Sequence, residues 1–219
     1  MPLRPTPDYA AAMWSHCFTP RTAGERRYWL VKSEPDVFSW DALNAAPGRT
    51  MHWDGVRNYS ARNFMLDGMA VGDRVYFYHS STDPQAIVGI CEVARAAYPD
   101  HTQFERAHPA FDADAVVDAP TWWMVDLRAV KPLARPVTLG EIKADAVLAQ
   151  MALVRVGRLS VTPVTPTEWA LVLERASKTP ATVALARDAK GAKRSRGTTA
   201  TAARLSSKHP KPSKPSTRR

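Results

Sequence analysis

Cysteine is nearly missing from this chain. Cys17 and Cys91 are the two among 219 residues, too few for a disulfide framework or a cysteine metal cluster. No apolar run approaches the roughly 20 residues of a membrane helix, and residues 1–26 lack the hydrophobic middle of a secretory signal. The expected location is therefore cytoplasmic, with nucleoid association compatible, and no membrane partner is expected. No aromatic residue follows Trp169, and residues 177–219 are dominated by Lys, Arg, Ala, Ser, Thr and Pro. Such a segment cannot bury enough apolar area to offset chain entropy and is expected to be a disordered tail. No Gly-x-Ser-x-Gly elbow surrounds Ser80 or Ser81, which argues against a hydrolase of that kind. His101 and His108 flank Phe104 without the carboxylate and spacing of a metal motif, so neither metal nor cofactor is expected.

What is present is a hydrophobic content of 45%, enough for a real core, and a charge distribution of two parts. Residues 177–219 hold 12 Lys and Arg against one acid, Asp188, which leaves residues 1–176 with 18 basic and 20 acidic side chains. The net charge of +9 thus belongs to the tail. A slightly acidic body cannot draw nucleic acid by a bulk field and would have to rely on a local site. Residues 1–26, with Pro2, Pro5, Pro7 and Pro20 and no helical or strand period, read as a disordered leader, which leaves 27–176 as the ordered domain.

Within that domain, Tyr28 to Ser33 reads as a strand stopped by Glu34-Pro35. Phe38 to Ala45 can be a short helix, and Asn58 or Ser60 can cap a second through Leu66. Arg74 to His79, Ala86 to Ala97 and Thr121 to Leu133 read as strands, and Thr138 to Ile142 and Asp145 to Leu153 as helices. Arg158 to Val161 is the expected last strand, and a closing helix runs from Thr165 or Thr167 through Leu173. Short strands with helices at intervals predict an α+β fold, a curved and largely antiparallel sheet closing toward a barrel.

The densest chemistry lies between Trp53 and Asn63. An indole, a carboxylate, two arginines and two asparagines are crowded there, the parts needed to stack a flat base, bond its edge and hold phosphate. Trp53 can lie against a base, Asp54 or Asn58 can meet its edge, and Arg57 and Arg62 near a helix start can hold phosphates. Structural roles compete residue by residue: Asp54 can pair with Arg57, Asn58 can cap, Asn63 can satisfy backbone. Strand alternation buries Trp29 with Val31 and leaves Ser33 where the strand opens into a loop, with Lys32 a solvated charge or a ligand contact. Tyr76, Tyr78 and Ser80 fall on one face of their strand, Phe77 and His79 on the other. Gly157 permits a close approach beside Ser160.

Taken together, Tyr28 to Pro35, Trp53 to Phe64, Tyr78-His79-Ser80, Ile87 to Ile90, Tyr98-Pro99-Asp100 and Arg158 to Val161 resemble an EVE domain over about 27–175. The resemblance is to stand-alone bacterial members of the PUA-like superfamily. It implies a PUA-like β-barrel with short peripheral helices and a pocket that takes a modified base, in several members a modified cytosine such as 5-methylcytosine turned out of DNA. It puts Trp29, Ser33 and Trp53 at that pocket, with Asp54, Arg57, Asn58, Tyr59 and Asn63 around it. Tyr78, His79, Ser80, Leu159 and Ser160 would border the cavity, and Lys32, Arg57 and Arg62 would hold phosphate. The expected activity is non-enzymatic reading of DNA, possible RNA targets included, in association with restriction-type nucleases or RNA-processing factors. Two other functions fit the residues: an RNA-binding module, and an enzyme on a modified base with Asp54 as general base and His79 as general acid.

Overall fold

The strand β1 (Tyr28–Ser33) forms where a β-prone run meets the proline stop, and it lies parallel to β3 (Arg74–His79), with Tyr28 opposite Arg74 and Ser33 opposite His79. In this computed structural model residues 14–178 are described. The chain divides into two units, 1–180 and 181–219; the expected tail from residue 179 onward, and residues 1–13 of the expected leader, lie outside the described residues. The remaining strands are β2 (Thr50–Trp53), β4 (Ala86–Pro99), β5 (Trp123–Thr138) and β6 (Val161–Val164), in a six-stranded sheet of order β2-β5-β4-β3-β1-β6. Every ladder other than β1 with β3 is antiparallel. Short helices sit between them: α1 (Trp40–Ala45), α2 (Tyr59–Asn63), α3 (Leu139–Ala144), α4 (Ala152–Arg155) and α5 (Pro166–Ser177). The fold is mixed α+β.

Strand alternation divides the apolar residues between two cores, one on each face of the sheet. Trp29, Val31, Val75 and Phe77 belong to one, and Leu30, Tyr76, Tyr78 and Ile87 to the other. Central strands buried on both faces need near-continuous apolar sequence, which is what Trp-Leu-Val and Val-Tyr-Phe-Tyr supply. The sheet is strongly curled. Trp53 on β2 and Phe77 on β3 are three steps apart in the strand order, about 14 Å if flat, yet their ring centroids are 5.7 Å apart. Gly89 on β4 helps the packing: a Cβ there would lie 2.4 Å from the Trp40 ring, so the indole rests directly on its backbone.

Several expectations are corrected. Residues 14–26 are packed on the domain, not left as a leader: Ser15–Phe18 form a 3-10 turn, Trp14 and Cys17 are buried, and Phe18 stacks on Phe64 at 5.6 Å. Arg21 grips the buried Asp73 with both ends of its fork, at 2.7 and 2.6 Å. The last strand is Val161–Val164, not Arg158 to Val161, because Pro163 needs no ladder donor on the edge of a sheet. Asp145 to Leu153 is interrupted: a 3-10 turn at Leu148–Gln150 precedes α4. The helix starts follow sequence. Asn58 caps α2, and Thr138 with Glu141 and Thr165 with Glu168 form capping boxes on α3 and α5. None of the described helices is long and apolar enough to cross a membrane.

Candidate functional site

Curling brings the end of β2 against the end of β1, and a cleft of about 510 Å³ opens between them. Trp53 and Phe38 supply its aromatic wall, with rings 6.3 Å apart at 69°. Lys32, Ser33, Glu34, His52, Asp54, Arg57 and Ser160 supply polar groups. A second hollow of about 480 Å³ adjoins it, sharing Lys32, Glu34 and Ser160 and adding Tyr78, Ser80, Gln85, Lys143, Arg158 and Leu159.

Of the residues expected at a base pocket, the structure thus brings Ser33, Trp53, Asp54 and Ser160 to one cleft and Tyr78, Ser80, Leu159 and Ser160 to the next. Trp29 is a correction. It is fully buried, its indole N–H donates to Asp73 at 2.8 Å, and its ring sits where a Cβ on Gly68 would lie 2.7 Å away. The cavity expected between Trp29 and Trp53 is not formed; Phe38 stands where Trp29 was expected. His79 is likewise turned to structure. Its Nε2 accepts the Trp40 N–H at 3.0 Å, an amide left without a partner at the start of α1. Burial lowers its pKa, opposed by Asp41, so the neutral ring is the favoured form. His79 lines neither cleft, while Asp54 lines the first.

Asn58, Tyr59 and Asn63 lie outside both hollows. Asn58 accepts from the Ala61 N–H as a cap, and Asn63 Oδ1 accepts two bonds from Arg62 at 3.0 and 2.7 Å. Arg62 also donates to the Thr121 carbonyl at 3.2 Å, so it is tied into the surface beside α2 and not turned to the cleft.

Arg57 lines the cleft but is engaged behind it. Its guanidinium donates to Asp100 Oδ2 at 2.7 Å, Thr102 Oγ1 at 2.9 Å, and the carbonyls of Ala110 at 2.7 Å and Val56 at 3.2 Å. Four of its five N–H groups are committed. Asp100 is fully buried and also accepts from Gly55 N at 3.0 Å and from Thr102 N and Oγ1 at 2.8 and 2.6 Å. Burial alone would push its pKa up, but the hydrogen bonds from Arg57 and Thr102 hold it below the ordinary carboxylate value. Asp100 therefore latches the 54–57 wall of the cleft to the 100–102 turn.

The groups left facing the cleft are few and specific. Asp54 is half-buried, with its nearest ionic neighbour His52 Nε2 at 3.5 Å. Ser33 donates to the Phe38 carbonyl at 2.6 Å, leaving its lone pairs for a ligand. Lys32 donates to the Gly157 carbonyl at 2.9 Å, and burial lowers its pKa. The second hollow adds Lys143 and Arg158 beside Lys32, whereas Arg57 in the first cleft is committed to Asp100 and its neighbours and Arg62 lines neither hollow. His101 pairs with His52, rings 5.3 Å apart, and not with His108. His52, Asp54 and His101 each offer a ligand atom within 4.8 Å of the others, the group among the described residues that could hold a metal. Sequence spacing hid it, since the two histidines are 49 residues apart. Phe38 was hidden too, by its place at the head of a helix-prone stretch.

Comparison with known proteins shows relatives in both sequence and fold. The EVE domain family matches residues 27–175. Human thymocyte nuclear protein 1 is 39% identical over 170 residues, covering 70% of this chain and 75% of that protein. A crystal structure of the human protein in complex with DNA containing 5-methylcytosine superposes with a TM-score of 0.68, covering 70% of this chain and 99% of that one at 39% identity. A protein from Leishmania major, 43% identical, gives 0.67 and covers 71% of this chain and 97% of its own.

Proposed function

We propose that this chain, which belongs to the EVE family, binds nucleic acid by taking one modified base, a modified cytosine of DNA, into the cleft walled by Trp53 and Phe38, without turnover. The observation that carries the proposal is the cleft itself: an aromatic wall, a carboxylate at its edge and a lysine at its mouth, in a chain similar to a human protein crystallised with DNA containing 5-methylcytosine. Cytosine presents an exocyclic amino donor, and a carboxylate such as Asp54 is the acceptor chemistry that meets it. A methyl group on the ring gains from desolvation against Phe38 and Trp53. Lys32 carries the phosphate contact at the cleft, with Lys143 and Arg158 continuing it along the second hollow.

Extraction of a base costs a few kcal/mol, and stacking on an aromatic returns about 1–3 kcal/mol. The edge and phosphate contacts must supply the rest, so unmodified nucleic acid should bind weakly. The test is a binding panel of short oligonucleotides, DNA and RNA, each carrying cytosine or one of its modified forms at a single position, with mass spectrometry of the oligonucleotide afterwards. Tighter binding of one modified form with unchanged mass is expected. Equal affinity for every form, or a change of mass, would overturn the proposal.

A further inference from the structure

Beside the cleft, four side chains form a continuous stack that the base-binding role does not use. The Arg57 guanidinium lies 5.3 Å from the Trp122 ring centre, Trp122 lies 5.0 Å from Tyr59, and Tyr59 lies 4.8 Å from the guanidinium of Arg62. The inner end is tied down by hydrogen bonds. Arg57 is fixed by Asp100, and Trp122 is buried with its indole N–H on Asp112 Oδ2 at 2.6 Å. The outer end is held out into solvent: Tyr59 is 55% exposed although it is braced by its two neighbours. Its backbone is fixed as well, since it is the first residue of α2, directly after the Asn58 cap. Only Asn58 separates it in sequence from Arg57, which lines the cleft.

Scattered exposed aromatics are ordinary on protein surfaces. This one differs in being braced by Trp122 and Arg62 while exposed, two positions along the chain from the cleft-lining Arg57. Proteins that deform a duplex commonly push such a side chain between base steps, where it replaces the stacking lost when the helix opens.

Resting on the proposed function, we infer that Tyr59 is the wedge of this site: when a base leaves a duplex for the Trp53 cleft, the exposed Tyr59 ring enters the vacated place, and Arg62 swings off its face to the adjoining phosphate, which frees that face to stack on the neighbouring base. A wedge matters only where there is a stack to fill. The full-length protein and its Tyr59→Ala, Tyr59→Phe and Trp53→Ala variants would be titrated with a modified-cytosine oligonucleotide, once as a duplex and once as a single strand. Tyr59→Ala is expected to weaken duplex binding about tenfold, the worth of one base–aromatic stack, and single-strand binding less than about twofold. Tyr59→Phe, which keeps the ring, should match the parent on both, and the melting temperatures of both Tyr59 variants should stay near the parent's. With the unsubstituted protein, 2-aminopurine next to the modified base should change emission on binding the duplex.

Equal loss on both substrates, no loss on either, or no binding of duplex by the parent would overturn the wedge. Failure of the base-cleft reading shows separately, as single-strand affinity that Trp53→Ala leaves unchanged.

Discussion

Removing the Asp100 carboxylate should reveal how the cleft wall is held. In Asp100→Ala, four acceptor contacts vanish at once: to Gly55 N, Arg57 Nη1, Thr102 N and Thr102 Oγ1. The Arg57 guanidinium loses its counter-charge, and breaking a buried ion pair from one side costs about 3–5 kcal/mol. Arg57 keeps 22% of its side-chain surface exposed and can turn partly to water, which places the loss at the lower end, about 3 kcal/mol. For a domain of this size that corresponds to a fall in Tm of about 6–12 °C. Arg57→Lys keeps the charge but gives up the fork to Thr102 and Ala110, so it should cost about 1–2 kcal/mol. Denaturant titration of the two single variants and the double variant measures the coupling directly. A loss below about 1 kcal/mol for Asp100→Ala would refute the latch. So would an Arg57→Lys variant of parental stability that lost only nucleic-acid affinity, the behaviour of a phosphate ligand.

Three further outcomes follow from the same structure. Because burial lowers the His79 pKa from its ordinary 6.5, the unfolded chain takes up a proton there that the folded chain resists. Stability should then be full above about pH 6.5 and decline as the pH falls, and His79→Gln should flatten that decline in melting curves; a steeper decline in the variant would contradict it. Gly89→Ala puts a Cβ 2.4 Å from the Trp40 ring and should cost about 1–3 kcal/mol by overpacking, read as a lowered Tm. Deleting residues 179–219, which carry most of the tail's basic residues, should flatten the salt dependence of nucleic-acid affinity while the preference for the modified base survives; loss of the preference would refute that division of labour.

Much of the frame was legible in the sequence because its signals are local. Tyr28 to Ser33 and Arg74 to His79 are dense β-prone runs with clear stops, and both strands have the expected bounds. Asn58, Thr138 and Thr165 cap helices where their side chains predict it. Thr50–Trp53 was not legible, since its polar–apolar alternation runs over only four residues and the strand is defined by pairing with β5. The site was legible in composition but not in assignment. Trp53, Asp54 and Ser33 reach the cleft, while Arg57 is claimed by a carboxylate 43 residues away and Trp29 by Asp73, 44 residues away. Those partners are contributed by the fold, and no local pattern around Arg57 or Trp29 announces them. The packed segment from Trp14 carried a weaker trace: Trp14, Cys17 and Phe18 have the spacing of one turn's face, overshadowed by the surrounding prolines.

The most direct measurement is a crystal structure of the full chain with a short duplex carrying one modified cytosine. The account predicts that base outside the helix, in the cleft walled by Trp53 and Phe38, with its amino group at Asp54 and its phosphate near Lys32. A base still stacked in the duplex, or one seated in the Lys143 and Arg158 hollow with the Trp53 cleft unused, would contradict it.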